Sequence, residues 1–171
     1  KPREPAAFDA PQIGTFLHYL LENVTRDVLA QGGFAAVDNA LLHRLTERYI
    51  DRYVEQELHN FQNRNARFRY LFRRLRNTAF AVIDQIAEEL RHSDFVPMAF
   101  ELSFGGKDGT LPAVTVSLPD GDLRVGGKVD RVDGWIQDGR LYLRVVDYKT
   151  GRKKFDLANV RMGLDIQMLL Y

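Results

Sequence analysis

The sequence contains no cysteine, which excludes disulfides, thiolate metal ligation and a cysteine nucleophile within these 171 residues. It also lacks an apolar run long enough to cross a bilayer and a secretory pattern at its N-terminus, so the default compartment is the cytoplasm. No Gly-x-x-x-x-Gly-Lys-Ser/Thr occurs, so an ATP-driven motor, if the activity needs one, lies outside this chain. An excess of either charge is missing too. With 24 Lys and Arg against 23 Asp and Glu, any polyanion must be met by local patches rather than by the net charge of +1. Internal repeats and low-complexity linkers are absent. What is there is a hydrophobic content of 45%, enough for one respectable core in a chain of this length. One α/β unit over 1–171 is expected, with a helical part at about 10–92 and a sheet and C-terminal helix at about 96–171. The chain starts at Lys1-Pro2-Arg3 and stops at Tyr171 inside a helical pattern, as a piece of a larger subunit would.

Pro11 followed by Ile13, Phe16, Leu17, Leu20, Leu21 and Val24 predicts a helix with one apolar stripe that ends before Gly32-Gly33. Asp38 is an N-cap candidate for a second helix carrying Leu41, Leu42, Leu45, Tyr49 and Val54. A third runs from about Asn65 to Leu90. The period then changes: 97–104, 113–118, 122–135 and 141–149 read as strands, separated by the turn-rich 105–109, Pro119-Asp120-Gly121 and Asp138-Gly139. A last helix is expected from near Leu157 to Tyr171.

The chemistry concentrates where strands end. In the last strand Leu141, Leu143, Val145, Asp147 and Lys149 share a face, and that series turns from apolar to charged, as in a strand leaving the core and emptying into a cleft. Taken alone, Asp147-x-Lys149 reads first as a surface ion pair at a strand end. Asp130 changes the balance. It precedes the Asp138-Gly139 turn, so a hairpin sets it beside Asp147, and facing carboxylates in apolar strands call for a cation. Oxygen-rich ligation suits Mg²⁺ or Mn²⁺ better than zinc. Gly126 and Gly127 allow a close approach of backbone or ligand, or mark a bulge. Asp133 reads as a strand-end or turn residue. His18, alone on its helix, reads as a core histidine held by Glu22 four residues on.

The runs Gly127-Lys128-Val129-Asp130-Arg131-Val132-Asp133, Val145-Val146-Asp147-Tyr148-Lys149-Thr150-Gly151 and Gln167-Met168-Leu169-Leu170-Tyr171, with the upstream helix Gly14 to Glu22, resemble the RecB-type branch of the PD-(D/E)XK nucleases. Within it the chain is similar to the C-terminal nuclease domains of the AddB components of AddAB-type helicase–nucleases, which process double-strand DNA ends for recombinational repair. The resemblance implies the restriction-endonuclease-like α/β fold, a mixed central sheet flanked by helices after an N-terminal helical segment. It implies metal ligands at His18, Asp130, Asp147 and the Tyr148 carbonyl, with Lys149 assisting the attacking water and Gln167 and Tyr171 completing the catalytic set. Glu101 is a weaker candidate, beside the metal or behind its ligands. Gly14 and Thr15 position the histidine helix. The implied reaction is Mg²⁺-dependent (Mn²⁺ as substitute) exonucleolytic hydrolysis of single-stranded DNA in a bacterial cytoplasm. The strand implied is the one ending 5′, fed by an AddA-type helicase–nuclease partner. Many such domains hold an iron–sulfur cluster with four cysteines; this cysteine-free chain cannot.

Between Arg64 and Arg76 six arginines occur with no acid among them, interleaved with Phe68, Tyr70 and Phe72. Arg69, Arg73 and Arg76 are candidates for DNA phosphate contacts, while a solvated face or a subunit contact explains them as well; the aromatics are expected in the core. Arg44–Glu47, Arg48–Asp51 and Arg52–Glu55 read as a salt-laced helix face. His43, His59 and His92 take no role. Two other functions stay open: a nuclease-fold module that binds DNA or a partner without cutting, and a free-standing RecB-like nuclease of the CRISPR-adaptation (Cas4-like) type.

Overall fold

Helices come first and strands second, because the apolar period switches between Arg91 and Val96. The structure, a computed structural model, describes residues 10–58, 65–106 and 109–148. The expected last helix, with Gln167 and Tyr171, and the strand-end residue Lys149 lie outside the described residues, as does His59.

Helix α1 (Ala10–Ala30) accommodates Pro11 in its first turn, where the missing N–H costs nothing, and the Thr15 hydroxyl donates back to the Pro11 carbonyl at 3.1 Å. It stops at glycine. The Gly33 N–H reaches the Val28 carbonyl at 2.9 Å and the Gly32 N–H the Leu29 carbonyl at 3.1 Å, a Schellman closure that the φ of +99° at Gly32 permits. A 3₁₀ turn (Phe34–Ala36) leads to α2 (Asn39–Glu57), which Asp38 caps by accepting the Leu41 N–H at 2.7 Å. Asn65 caps α3 (Ala66–Arg91) in the same way through the Phe68 N–H at 2.8 Å. The stripes meet in one core containing Phe16, Leu20, Leu42, Ile50, Ala79 and Ile83. Phe16 holds the centre, its ring 5.0 Å from that of Tyr53 and 5.7 Å from that of Phe72.

The pairs between helices differ from the expected ladder along α2. Arg48 bonds Asp27 of α1 and Glu47 bonds Arg76 of α3, so these charges tie neighbouring helices together. Residues facing a packed neighbour find partners there before they find them along their own helix.

Strands β1 (Val96–Phe104), β4 (Gly127–Gln137) and β5 (Arg140–Val146) form an antiparallel sheet in the order β1-β4-β5. Strands β2 (Val114–Leu118) and β3 (Gly121–Val125) form a separate hairpin. The expected single strand over 122–135 is therefore two strands. They part at Gly126, where a side chain would stand 2.9 Å from the Phe104 carbonyl oxygen; only glycine lets the backbones of 104–105 and 126 pass so closely. Asp138 (φ +51°) and Gly139 (φ +72°) make the tight turn joining β4 to β5, as their sequence predicts.

The sheet faces are assigned the other way from expectation. Val129, Arg131 and Asp133 of β4 are buried, whereas Met98, Ile136, Leu141 and Leu143 are exposed among the described residues. Asp133 is thus an interior residue of β4 and no strand-end or turn position. The reason is register: Asp133 pairs with Arg144, and alternation turns both toward the helices.

Candidate metal centre

Asp130 reaches the site because its neighbours fix the ladder on both sides. Phe100 pairs with Arg131 and Leu102 with Val129, which stands Glu101 across from Asp130 between them. Glu101 itself has φ +51°, a left-handed conformation uncommon for a non-glycine residue and costly inside a strand. A bulge between Pro97 and Ala99 already disturbs β1 upstream. Helix α1 brings the third group. Its stripe turns Phe16 and Leu20 into the core, and His18, between them, faces the end of the sheet.

The His18 Nδ1 lies 3.5 Å from the Glu101 Oε1 and 3.5 Å from the Asp130 Oδ1. The ligand atoms of His18, Glu101 and Asp130 all fall within 4.8 Å of one another. The His18 Nε2 is 3.3 Å from the Tyr148 carbonyl oxygen. A carbonyl can only accept, so in this contact Nε2 carries the hydrogen and Nδ1 is the nitrogen turned toward the two carboxylates. Glu22, the expected partner of His18, bonds Arg26 instead, 2.9 Å away along α1. His18 is oriented by a backbone group 130 residues away, which no reading of its own helix could supply.

The Asp130 carboxyl is held above the usual carboxylate range, first by burial and further by the negative charges of Asp147 and Glu101; the Tyr148 N–H, donating at 2.6 Å, and His18 oppose the rise. A partly buried acid crowded by acids is a group that gains from a cation. One imidazole nitrogen and two carboxylate oxygens, with Asp147 near enough to be felt electrostatically, form a donor set that fits a hard divalent ion. Lys128 bonds the second oxygen of Glu101, so this acid is already shared.

Glu101, a weaker candidate than Asp130 and Asp147 from the sequence, stands in the same cluster as Asp130 and His18. Its signal was hidden because the strand pairing that places it and its left-handed φ are not written in spacing. Asp147 follows β5 directly, and Arg131 pairs with Val146, so the expected proximity of Asp130 and Asp147 holds at the strand end. Lys149, Gln167 and Tyr171 are outside the described residues.

Behind the site is an ion network that sequence reasoning missed. Arg131, 2% exposed, donates from Nε and Nη2 to the two Asp133 oxygens at 2.7 and 2.9 Å and from Nη1 to the Tyr148 hydroxyl at 2.7 Å. Asp133 also accepts from the Arg144 Nε at 2.9 Å, and Arg144 reaches Glu89 of α3 at 2.7 Å. Burial pushes the Tyr148 phenol up to about 12. The motif Asp-Arg-Val-Asp was the available signal: it puts two charged side chains on one strand face where a core residue is expected.

On α3, Phe68 and Phe72 are buried as expected, but Tyr70 is exposed. Arg69 and Arg73 are exposed and border a surface groove of about 590 Å³ with Ile50, Val54 and Arg76. Arg76, however, is engaged by Glu47 and lies over the Phe80 ring. His43 pairs with Asp84 at the surface and His92 with the Glu88 carbonyl.

Two paired strands and a helix thus bring two acids and a histidine to one point, and the chain belongs to the PD-(D/E)XK nuclease superfamily, whose family model matches residues 1–171. Its whole length is also similar to part of the B-type subunits of the ATP-dependent helicase/deoxyribonucleases of several bacteria. It is 30% identical over 173 residues to that of Clostridium acetobutylicum, 32% over 174 residues to that of Clostridium perfringens strain 13 and 31% over 173 residues to that of Acetivibrio thermocellus. The chain spans 15% of the length of these relatives. No helix among the described residues is long and apolar enough to cross a membrane.

Proposed function

We propose that this chain is the metal-dependent deoxyribonuclease unit of a helicase–nuclease, hydrolysing phosphodiester bonds of single-stranded DNA at ends being processed for recombinational repair in a bacterial cytoplasm. The observation that carries the reading is the convergence of His18, Glu101 and Asp130 within 4.8 Å, in a member of a nuclease superfamily. The names of the relatives, which join helicase and deoxyribonuclease, support a DNA substrate and an AddA-type motor partner that feeds the strand.

In this reading His18 (through Nδ1), Asp130 and Asp147 would hold Mg²⁺, with Mn²⁺ as a substitute, and Glu101 joins them or steadies them; the Tyr148 carbonyl, expected as a further ligand, takes the His18 Nε2–H on the far side of the ring from Nδ1 and serves as its orienting acceptor instead. The cation supplies Lewis acidity, lowering the pKa of water and offsetting charge on the phosphate. The imidazole offers its lone pair from Nδ1 because Nε2–H is committed to a carbonyl. Asp130 keeps its position through the Tyr148 N–H. Lys149 is assigned the placing of the attacking water and the compensation of charge developing on the phosphate, with Gln167 and Tyr171 beside it; these three roles rest on motif resemblance. Arg69 and Arg73 are assigned to DNA phosphates, with Arg76 contributing after release from Glu47.

The test uses the full-length native protein with its partner, single-stranded DNA and a Mg²⁺ titration. Cleavage by wild type and a loss on the order of 10³-fold in Asp147→Ala are the expected results. Metal binding by calorimetry without cleavage would instead support a DNA-holding module that does not cut. Absence of divalent-metal binding at millimolar concentration would overturn the site.

A further inference from the structure

The Tyr148 backbone touches two of the proposed ligands at once. Its N–H donates to the Asp130 Oδ2 at 2.6 Å and its carbonyl accepts from the His18 Nε2 at 3.3 Å. Yet Tyr148 lies beyond Val146, the last residue of β5, so no regular ladder holds it. Something else must fix its position, and the side chain does so. The phenol oxygen accepts from the Arg131 Nη1 at 2.7 Å, the ring lies 5.6 Å from the Arg131 guanidinium, and it packs against the helical core.

Arg131 is itself immobilised. Asp133, fully buried, takes both of its remaining donor edges, and Arg144 ties Asp133 to Glu89 of α3. A buried ion pair of this kind gives little net stability compared with well-packed hydrocarbon. A leucine or phenylalanine at each position would fill the space without desolvating two charges. What hydrocarbon cannot do is fix a phenol hydroxyl, and with it a peptide unit, at one point in space.

We propose that Arg131, Asp133 and the Tyr148 phenol form a positioning clamp that sets the Tyr148 peptide, and through it the Asp130 carboxylate and the His18 tautomer, for metal binding. The inference rests on the proposed metal site and adds residues that act through Tyr148 rather than on the metal or the DNA. It also gives the Tyr148 carbonyl, the acceptor of the His18 Nε2–H, a cause for its placement.

Two nearly isosteric variants of the full-length native protein test this: Tyr148→Phe, which removes one oxygen, and Asp133→Asn, which keeps the clamp filled but weakens its hold on Arg131. The readouts are the Mn²⁺ binding isotherm and the metal concentration giving half-maximal cleavage of single-stranded DNA, with thermal unfolding recorded for each variant. Orienting partners behind metal ligands typically govern metal affinity by about 10–100-fold, so a rise of about tenfold in the half-maximal metal concentration is expected. KM for DNA should stay unchanged, and excess Mn²⁺ should restore most of the turnover. Nitrogen NMR of the metal-free wild type should show His18 protonated at Nε2, and Tyr148→Phe should give a mixture of tautomers. A merely structural role would lower the unfolding temperature with no shift in metal midpoint or tautomer. A midpoint within twofold of wild type in either folded variant overturns the clamp while leaving the metal site standing. Failure of the wild type to bind Mn²⁺ removes the site and the clamp together.

Discussion

The two halves of the molecule bury different chemistry. Among the helices the buried side chains are uncharged and mostly hydrocarbon, with Phe16, Leu20, Leu42 and Ile50 each at 2% exposure or less. On the helix-facing side of β4 the most deeply buried side chains are Arg131 and Asp133. Hydrocarbon burial stabilises at about 25 cal/mol per Å² and does so without regard to direction. A buried arginine–aspartate pair roughly breaks even against desolvation, but it is directional, so it holds groups at defined points. The helical half supplies the free energy that keeps the chain folded. The strand half uses part of it to hold a cluster of acids and a histidine where they would not gather unaided.

The sharpest separation of those roles should come at Asp130. In Asp130→Asn, cleavage by the full-length protein should fall on the order of 10³-fold, a catalytic loss read against metal concentration. Its unfolding temperature without metal should hold or rise, because burial and neighbouring acids already disfavour the charge. A variant that is both inactive and clearly destabilised would break the division. Next in size is Asp133→Ala, which strands the buried Arg131 guanidinium, takes one partner from the part-exposed Arg144 and should cost about 3–5 kcal/mol in urea unfolding. A loss under about 1 kcal/mol would mean that water reaches the network and that its directionality is weak.

Conservative exchanges should sharpen the contrast further. Leu20→Met keeps volume and hydrophobicity and should cost less than about 1.5 kcal/mol, whereas Leu20→Ala should cost about 2–5 kcal/mol. Arg131→Lys, equally conservative on paper, should cost more than Leu20→Met, because an ammonium cannot serve both Asp133 oxygens and the Tyr148 hydroxyl as a planar fork does. Equal costs for the two conservative exchanges would remove the distinction.

Alkaline pH probes the boundary between the halves. Burial raises the phenols of Tyr19, Tyr49, Tyr53 and Tyr148, the last up to about 12. A raised folded value favours the neutral form in the fold, so this contribution is complete below pH 10 and is lost as pH climbs from 10 towards 12. Tyrosinate absorbance of the folded protein should show Tyr148→Phe lacking the latest-titrating phenol; a wild type whose tyrosines all ionise together at 10 would contradict that burial. The smallest effect is expected at the surface. His43→Ala, which deletes the pair with the half-exposed Asp84, should change stability by no more than about 1 kcal/mol.

Much of this was legible in the sequence, and the reason differs by element. The helix ends could be read because Asp38 and Gly32-Gly33 act on groups within a turn of themselves. The β4–β5 turn could be read because Asp138-Gly139 needs positive φ. His18 could be named only through the resemblance to a nuclease family, since on its own it is an ordinary helix residue, whereas Asp130 found its partner Asp147 through the hairpin turn at Asp138-Gly139. The break at Gly126 was missed because a strand pattern continues on both sides of it, and only the crossing of Gly105 requires the glycine.

The sequence by itself determined the order of helices and strands, the capping of α2 and α3 and the glycine stop of α1, the hairpin that brings Asp130 to the end of β5, and membership of a nuclease superfamily. These follow from interactions between residues close in the chain or from motifs carried whole. The tertiary structure decided which sheet face meets the helices, that Asp133 is interior, that Glu101 joins His18, and that one tyrosine backbone serves two ligands. Those depend on pairings across tens of residues, with 130 separating His18 from Tyr148, and on side chains meeting only after the helical core has set the distance.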